Sequence, residues 1–258
     1  MDAALPLPAA RESRGVQAAV GLSLAAAIVG AWLAIHLWAM FAFRLSWSSL
    51  PLALVAAAAQ CWLSVGLFIV SHDAMHGSLA PGRPRLNEAI GATLLFLYAG
   101  FGWRRMRDAH FAHHRAPGGR DDPDFDVDHP RQFWRWYGGF LRRYFGWRSG
   151  LYVSTVVTLY WLAFRVPMEK IVLLYGVPAI ASSLQLFYFG TYRPHRHEDG
   201  NFADRHNARS EAFGPALSLA TCFHFGYHHE HHLGPHVPWW GLPARRRAVL
   251  DSTQGTTA

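Results

Sequence analysis

The sequence predicts an all-α integral membrane protein, with four transmembrane helices in two hairpins and a polar, histidine-rich cap at one end. Three observations carry this. Half of the 258 residues (51%) are hydrophobic and only 16% are charged, well below the roughly 25% charge of a soluble domain. Mean hydropathy is nevertheless only +0.06, so the apolar residues must be segregated from a polar part of real size. They are gathered into long charge-free runs, and most of the 16 histidines fall in four short clusters just beyond them.

The runs, in order, are residues 17–43, 50–71, 151–164 and 171–192. About 20 helical residues at a rise of 1.5 Å cross a hydrocarbon layer of roughly 30 Å. The links Arg44–Ser49 and Arg165–Lys170 are short, the second holding Pro167, so each pair of runs reads as a hairpin. Residues 89–103 are shorter, contain three glycines and read as a re-entrant or interfacial segment. The sequence has no internal repeat beyond the hairpin pairing. The whole chain, 1–258, reads as one domain, with its cap formed by 72–150 and 193–247. The tail after Arg247 reads as disordered.

Orientation follows from the basic residues. Of 24 Lys and Arg, only Arg44, Arg165 and Lys170 lie at the hairpin tips. Such an excess predicts both termini and the cap on the cytoplasmic side of the inner membrane, in a multi-pass protein. A cleavable leader is not expected, because the first run is too long for one and cleavage would leave half a hairpin. The net charge of +7 does not call for nucleic acid. In 131–148 Arg alternates with Trp, which suits a helix at the headgroups of an anionic leaflet. Two cysteines, Cys61 and Cys222, cannot form a disulfide framework.

The chemistry lies in the histidines. His72 and His76 follow the second run; His110, His113 and His114 form an HxxHH box; His228, His231 and His232 repeat that spacing; His195 and His197 follow the fourth run. Offsets of three and four share one helix face. His229 would point away from its box. His36, alone in the first run, reads as a packed residue. Eight or nine imidazoles exceed what one ion can hold, so two metals are expected. A zinc site would bring Cys or an HExxH helix. A site at the mouth of an apolar bundle suits instead a redox metal that activates O₂ against unactivated C–H bonds, which points to iron.

The order HxxxH, HxxHH, HxxHH around two hairpins resembles the membrane fatty-acid desaturase-like di-iron superfamily over almost the whole chain. The runs HDAMHGSLAPGRPRLN, AHFAHHRAPGGRDDPDFD, FYFGTYRPHRHED and LATCFHFGYHHEHHLGPHVPWW resemble more closely the bacterial β-carotene ketolases. Acyl desaturases share only the boxes. The resemblance implies that His72, His76, His110, His113, His114, His228, His231 and His232 hold two irons, with His195 or its competitor His197 completing the set. It implies O₂ as co-substrate, an apolar carotenoid as substrate, and two hydroxylations at C4 of a β-ionone ring followed by loss of water. β-Carotene would give echinenone and canthaxanthin, a step toward astaxanthin. The chain has no GxGxxG unit and no CxxC set, so electrons would come from a separate donor such as ferredoxin, docked on the Arg-rich face.

Asp73, Asp108 and Glu230, inside or beside the boxes, are expected to accept the second N–H of a ligand imidazole, which orients the ring. Asp122 and Asp124 could do so or cap a turn, and Asn207 and Arg209 are open. Two rivals stand against the ketolase expectation. One is an acyl-lipid desaturase or hydroxylase. The other is a metal-binding membrane protein without catalysis, against which the clean spans argue, since transporters place ionisable groups near the midplane.

Overall fold

A computed structural model describes residues 13–197 and 202–254, and among these there is helix but no strand. Helix α1 (Arg14–Ala42) and α2 (Leu50–His76) form the first hairpin, and each is long and apolar enough to cross a membrane. Ser13 starts α1 by accepting the Val16 N–H at 3.3 Å. Gly77 ends α2 with a φ of 72°, the left-handed turn that glycine adopts without steric cost. It falls directly after His76, so the chain reverses where the first pair of imidazoles is presented.

Helix α3 (Pro84–Ala99) then runs back along the second half of α2. The segment expected to be re-entrant or interfacial is thus largely this helix, its inner side Asn87, Gly91, Leu94 and Leu95 buried. Asn87 ties the α2–α3 loop by bonding both the N–H and the carbonyl of Ala80. Helices α4 (Trp103–Arg115) and α5 (Phe133–Tyr144) follow. The Arg/Trp stretch forms α5. Trp134 is 70% exposed beside exposed arginines, while Trp136 is buried against Phe125, Phe187 and Tyr192.

The third apolar run forms α6, Trp147–Thr158 continued by a π-turn over Leu159–Ala163. The fourth lies in α7 (Met168–His195), the third helix long and apolar enough to span. Two π-turns widen α7, Val172–Gly176 and Tyr188–Tyr192, each ending two residues before a proline, Pro178 or Pro194. A proline ring clashes with the carbonyl four residues earlier, and a wider turn relieves that clash. Helix therefore continues through Pro194 to His195. Helices α8 (Pro215–Cys222), α9 (His228–Leu233) and α10 (Leu242–Gln254) complete the cap. The tail expected to be disordered is helical as far as Gln254; residues 255–258 lie outside the described residues.

Contacts fix the two ends of the bundle. At one end Lys170 donates to the Phe43 carbonyl at 2.5 Å, joining the hairpin tips. His36 bonds Tyr160 of the α6 π-turn at 2.7 Å and stacks on Trp32, the packed role expected of it. At the other end Gln17 of α1 donates to the Ser78 carbonyl at 2.8 Å. Outward-facing Leu37, Leu54, Val55, Leu162, Phe164 and Ile180 are all exposed. An exposed apolar surface of this kind suits contact with a membrane or another protein rather than water.

Candidate metal centre and apolar cavity

Four helix ends meet beneath the cap. The C-terminal turn of α2 brings His72 and His76, α4 brings His110, His113 and His114, the last residue of α7 is His195, and α9 brings His228, His231 and His232. Their nitrogens form two groups, each lying within 4.8 Å: His72, His76, His110, His114 and His231 in one, His113, His195, His228 and His232 in the other. In the first, the Nε2 atoms of His76 and His110 are 2.7 Å apart and those of His114 and His231 are 3.0 Å apart. In the second, His232 Nε2 lies 3.2 Å from His113 and 3.1 Å from His228.

Both groups fit a metal ion. The Nε2 atoms of His72 and His195 are buried and have no hydrogen-bond partner among the described residues, which is costly unless something else takes the lone pair. Burial holds His110, His228, His231 and His232 well below the ordinary imidazole pKa, and the neighbouring rings push the same way. They are neutral at pH 7, the state a metal ligand requires.

His113 differs. Burial works against its charged form, but Asp122, with Asp124, outweighs that and raises its pKa. Its Nδ1 donates to Asp122 Oδ2 at 2.8 Å. Asp122 is itself fixed by the N–H groups of Gly118 and Asp124, each at 2.8 Å. His195 is oriented in the same manner, Nδ1 donating to the Asn207 carbonyl at 2.8 Å. Asn207 sits at a φ of 43° and donates its side-chain amide to the Pro117 carbonyl. These two contacts leave Nε2 of each ring for the cluster.

The acids expected to orient ligands stand otherwise. Asp73 accepts the Trp239 N–H at 3.0 Å, its other oxygen 3.6 Å from His72 Nδ1, too long for a hydrogen bond. It anchors the cap to α2. Glu230 is fully buried and accepts from Ser210 and from Arg246 at 2.6 Å, pinning α9 to α10. Asp108 is exposed, two residues before His110 and so on the far side of α4. It lines a separate cleft with Arg104 and Arg107. His229 turns away and bonds Asp204 at 2.7 Å. His197 packs on Phe125, with its carbonyl accepting from Arg131, outside both groups. Arg209 donates to the Arg196 carbonyl. Asp122 was one of two open readings in the sequence. The Asn207 carbonyl has no sequence signal, because every residue carries one.

A cavity reaches the cluster from within the bundle, with His72, His110, His113 and His228 at its wall. The rest of the lining is mainly apolar and aromatic, including Phe68, Tyr98, Phe101, Phe140 and Phe225. Phe225 lies edge-on to His72 and His228, with ring centres 4.6 and 4.9 Å away. It reaches there because Gly190 has no side chain; a Cβ would come within 2.8 Å of the Phe225 ring. Asp124 and Tyr144, bonded to each other, also line the cavity. Burial raises the Asp124 pKa to about 6, against the opposing charge of His113.

The fatty acid desaturase family model matches residues 45–163 and 142–255. A β-carotene ketolase of Paracoccus sp. (strain PC1) is 51% identical over 229 residues, spanning 88% of this chain and 93% of the relative. A second from Paracoccus sp. (strain N81106 / MBIC 01143) is 50% identical over 93% of this chain and 95% of its own length. A zeaxanthin 4-ketolase of Chlamydomonas reinhardtii is 32% identical over 88% of this chain and 53% of its own length.

Proposed function

The chain belongs to the fatty acid desaturase family, among relatives that are β-carotene ketolases, and from that premise we propose that it oxidises C4 of β-ionone rings in carotenoids to ketones. The observation that carries this reading is the apolar cavity ending on nine converging imidazoles. His72, His76, His110, His114 and His231 would hold one iron and His113, His195, His228 and His232 the other, and such a pair supplies the O₂ activation needed to open an unactivated C–H bond. Each ketone then consumes two O₂, four electrons and four protons, releasing three waters, the last from a geminal diol.

The chain's own residues supply position and exclusion. Asp122 and Asn207 hold the Nδ1 protons of His113 and His195, turning the opposite nitrogens inward. The aromatic walls seat an apolar ring and keep water from it. Because no cofactor-binding motif for electron supply is read in the sequence, a separate donor protein such as ferredoxin delivers the electrons. Arg104, Arg105 and Arg107, all exposed on α4, suit an acidic partner.

In this reading the chain is one domain in the inner membrane, with its termini and metal centre on the cytoplasmic side. Helix α6 is the fourth span. Its 12 α-helical residues and five-residue π-turn reach about 25 Å. It also packs at both ends, Tyr152 donating to the Leu97 carbonyl and Tyr160 meeting His36. Expression in a β-carotene-producing bacterium followed by pigment chromatography tests the activity. Echinenone and canthaxanthin are expected; recovery of β-carotene alone from cells that accumulate the protein overturns the reading.

A further inference from the structure

Asp124 lines the cavity beside the second metal group, with one atom each of His113, Asp122 and Asp124 lying within 4.8 Å of one another. It is held at three points. Its N–H donates to Asp122 Oδ1 at 2.8 Å, its carbonyl accepts the Trp136 indole at 2.7 Å, and its Oδ1 accepts the Tyr144 hydroxyl. Its other oxygen, Oδ2, has no hydrogen-bond partner among the described residues. The hydroxyls of Tyr98 and Ser183 on the same wall are already paired, with Ser182 and Tyr137. A carboxylate fixed this firmly, with an acceptor site to spare, in a mainly apolar cavity, is a binding group for something that arrives.

We propose that Asp124, steadied by Tyr144, binds the hydroxyl of the half-oxidised ring and so keeps that ring seated for its second oxidation. The inference rests on the ring-oxidation reading above. The starting ring has no polar atom for the cavity to grip. The first oxidation places a hydroxyl beside the cluster, and a hydroxyl without a partner in apolar surroundings favours leaving for water or the headgroups. A carboxylate only accepts and a hydroxyl can donate, so Oδ2 offers the missing bond. Once the ring carbon becomes a ketone it has no O–H to give, and two acceptor oxygens then face each other. The same group thus retains the intermediate and lets the product go.

The test compares the wild type with Asp124→Asn, Asp124→Ala and Tyr144→Phe in β-carotene-producing cells, scoring 4-hydroxy against 4-keto rings and the iron content of the purified proteins. The expected result is a hydroxy-to-keto ratio that rises roughly tenfold or more in Asp124→Ala and less in Tyr144→Phe, as loss of a charge-assisted bond implies, with iron retained. An unchanged ratio in iron-loaded Asp124 variants overturns the proposal, as does a shift produced instead by Thr191→Val, which removes another hydroxyl from the cavity lining. Should the Asp124 variants fail to accumulate or to bind iron, membranes carrying Tyr144→Phe decide. The KM for a 4-hydroxylated carotenoid should rise relative to that for β-carotene, and a common rise in both overturns it. A wild type that leaves β-carotene untouched would instead remove the ring-oxidation reading, and this inference with it.

Discussion

Each imidazole in the cluster has its own hydrogen-bond circumstances, and these set what its loss should do. His72, His113 and His231 converge within the two groups, so replacing any one by alanine should unseat a metal and abolish ketone formation. His36→Ala, losing one bond to Tyr160 and a stack on Trp32, should cost about 1 kcal/mol of stability and leave pigment conversion largely intact. Chromatography with metal analysis checks both. The same comparison separates His195 from His197: iron should fall in His195→Ala and hold in His197→Ala, and the reverse would reassign the ligand. Asp122→Asn keeps the volume but weakens the grip on His113 Nδ1, so metal affinity should drop about 10- to 100-fold, measured by competition with a chelator. The box spacings were legible because a helix turns i, i+3 and i+4 onto one face. The orienting groups were legible only in part: Asp122 stood as one of two open readings and the Asn207 carbonyl gave no signal, because both lie in loops, where the direction of an oxygen follows from distant contacts such as Gly118 N–H and Pro117 C=O.

Helices deliver those side chains, and their irregularities matter as much as their lengths. The apolar runs marked α1, α2 and α7 because charge-free length is a one-dimensional property. The π-turns before Pro178 and Pro194 were not legible, and the second carries helix through Pro194 to His195. The place of α3 was hidden too, since its length and glycines said nothing of the face of α2 it covers. Glycine has a defined use where α7 passes the cavity: Gly190 gives Phe225 its place against His72 and His228. Gly190→Ala puts a Cβ into that ring and should destabilise the protein by about 1–3 kcal/mol, read as a lower unfolding midpoint in detergent. Ketone yield per protein should fall with it, because the displaced ring sits beside the metal group. A midpoint equal to the wild type would mean that Phe225 has room to move.

For the whole molecule, the proposed topology turns on which end faces which compartment. Internal contacts define two ends independently of any membrane: Lys170 with Phe43 at the hairpin tips, and Gln17 with Ser78 beside the imidazoles. The tips carry three of the 24 basic residues, and the cap with the N-terminal segment carries the other 21. Lys and Arg near span ends resist transfer across the membrane, so the proposed orientation keeps the richer end inside. On the proposed function and location, that end also takes its reductant from the cytoplasm. A phosphatase active only outside the cytoplasm, fused after Asp251, should therefore be silent, and the same enzyme inserted at Ser48, in the first tip, should be active. Because Ser48 lies in an exposed turn knit by Ser46 and Ser49, the insertion interrupts no span. Activity from the Asp251 fusion would reverse the orientation and separate the metal centre from its electrons. Silence at both positions would mean that the first hairpin does not reach the far side, and the four-span reading would fail.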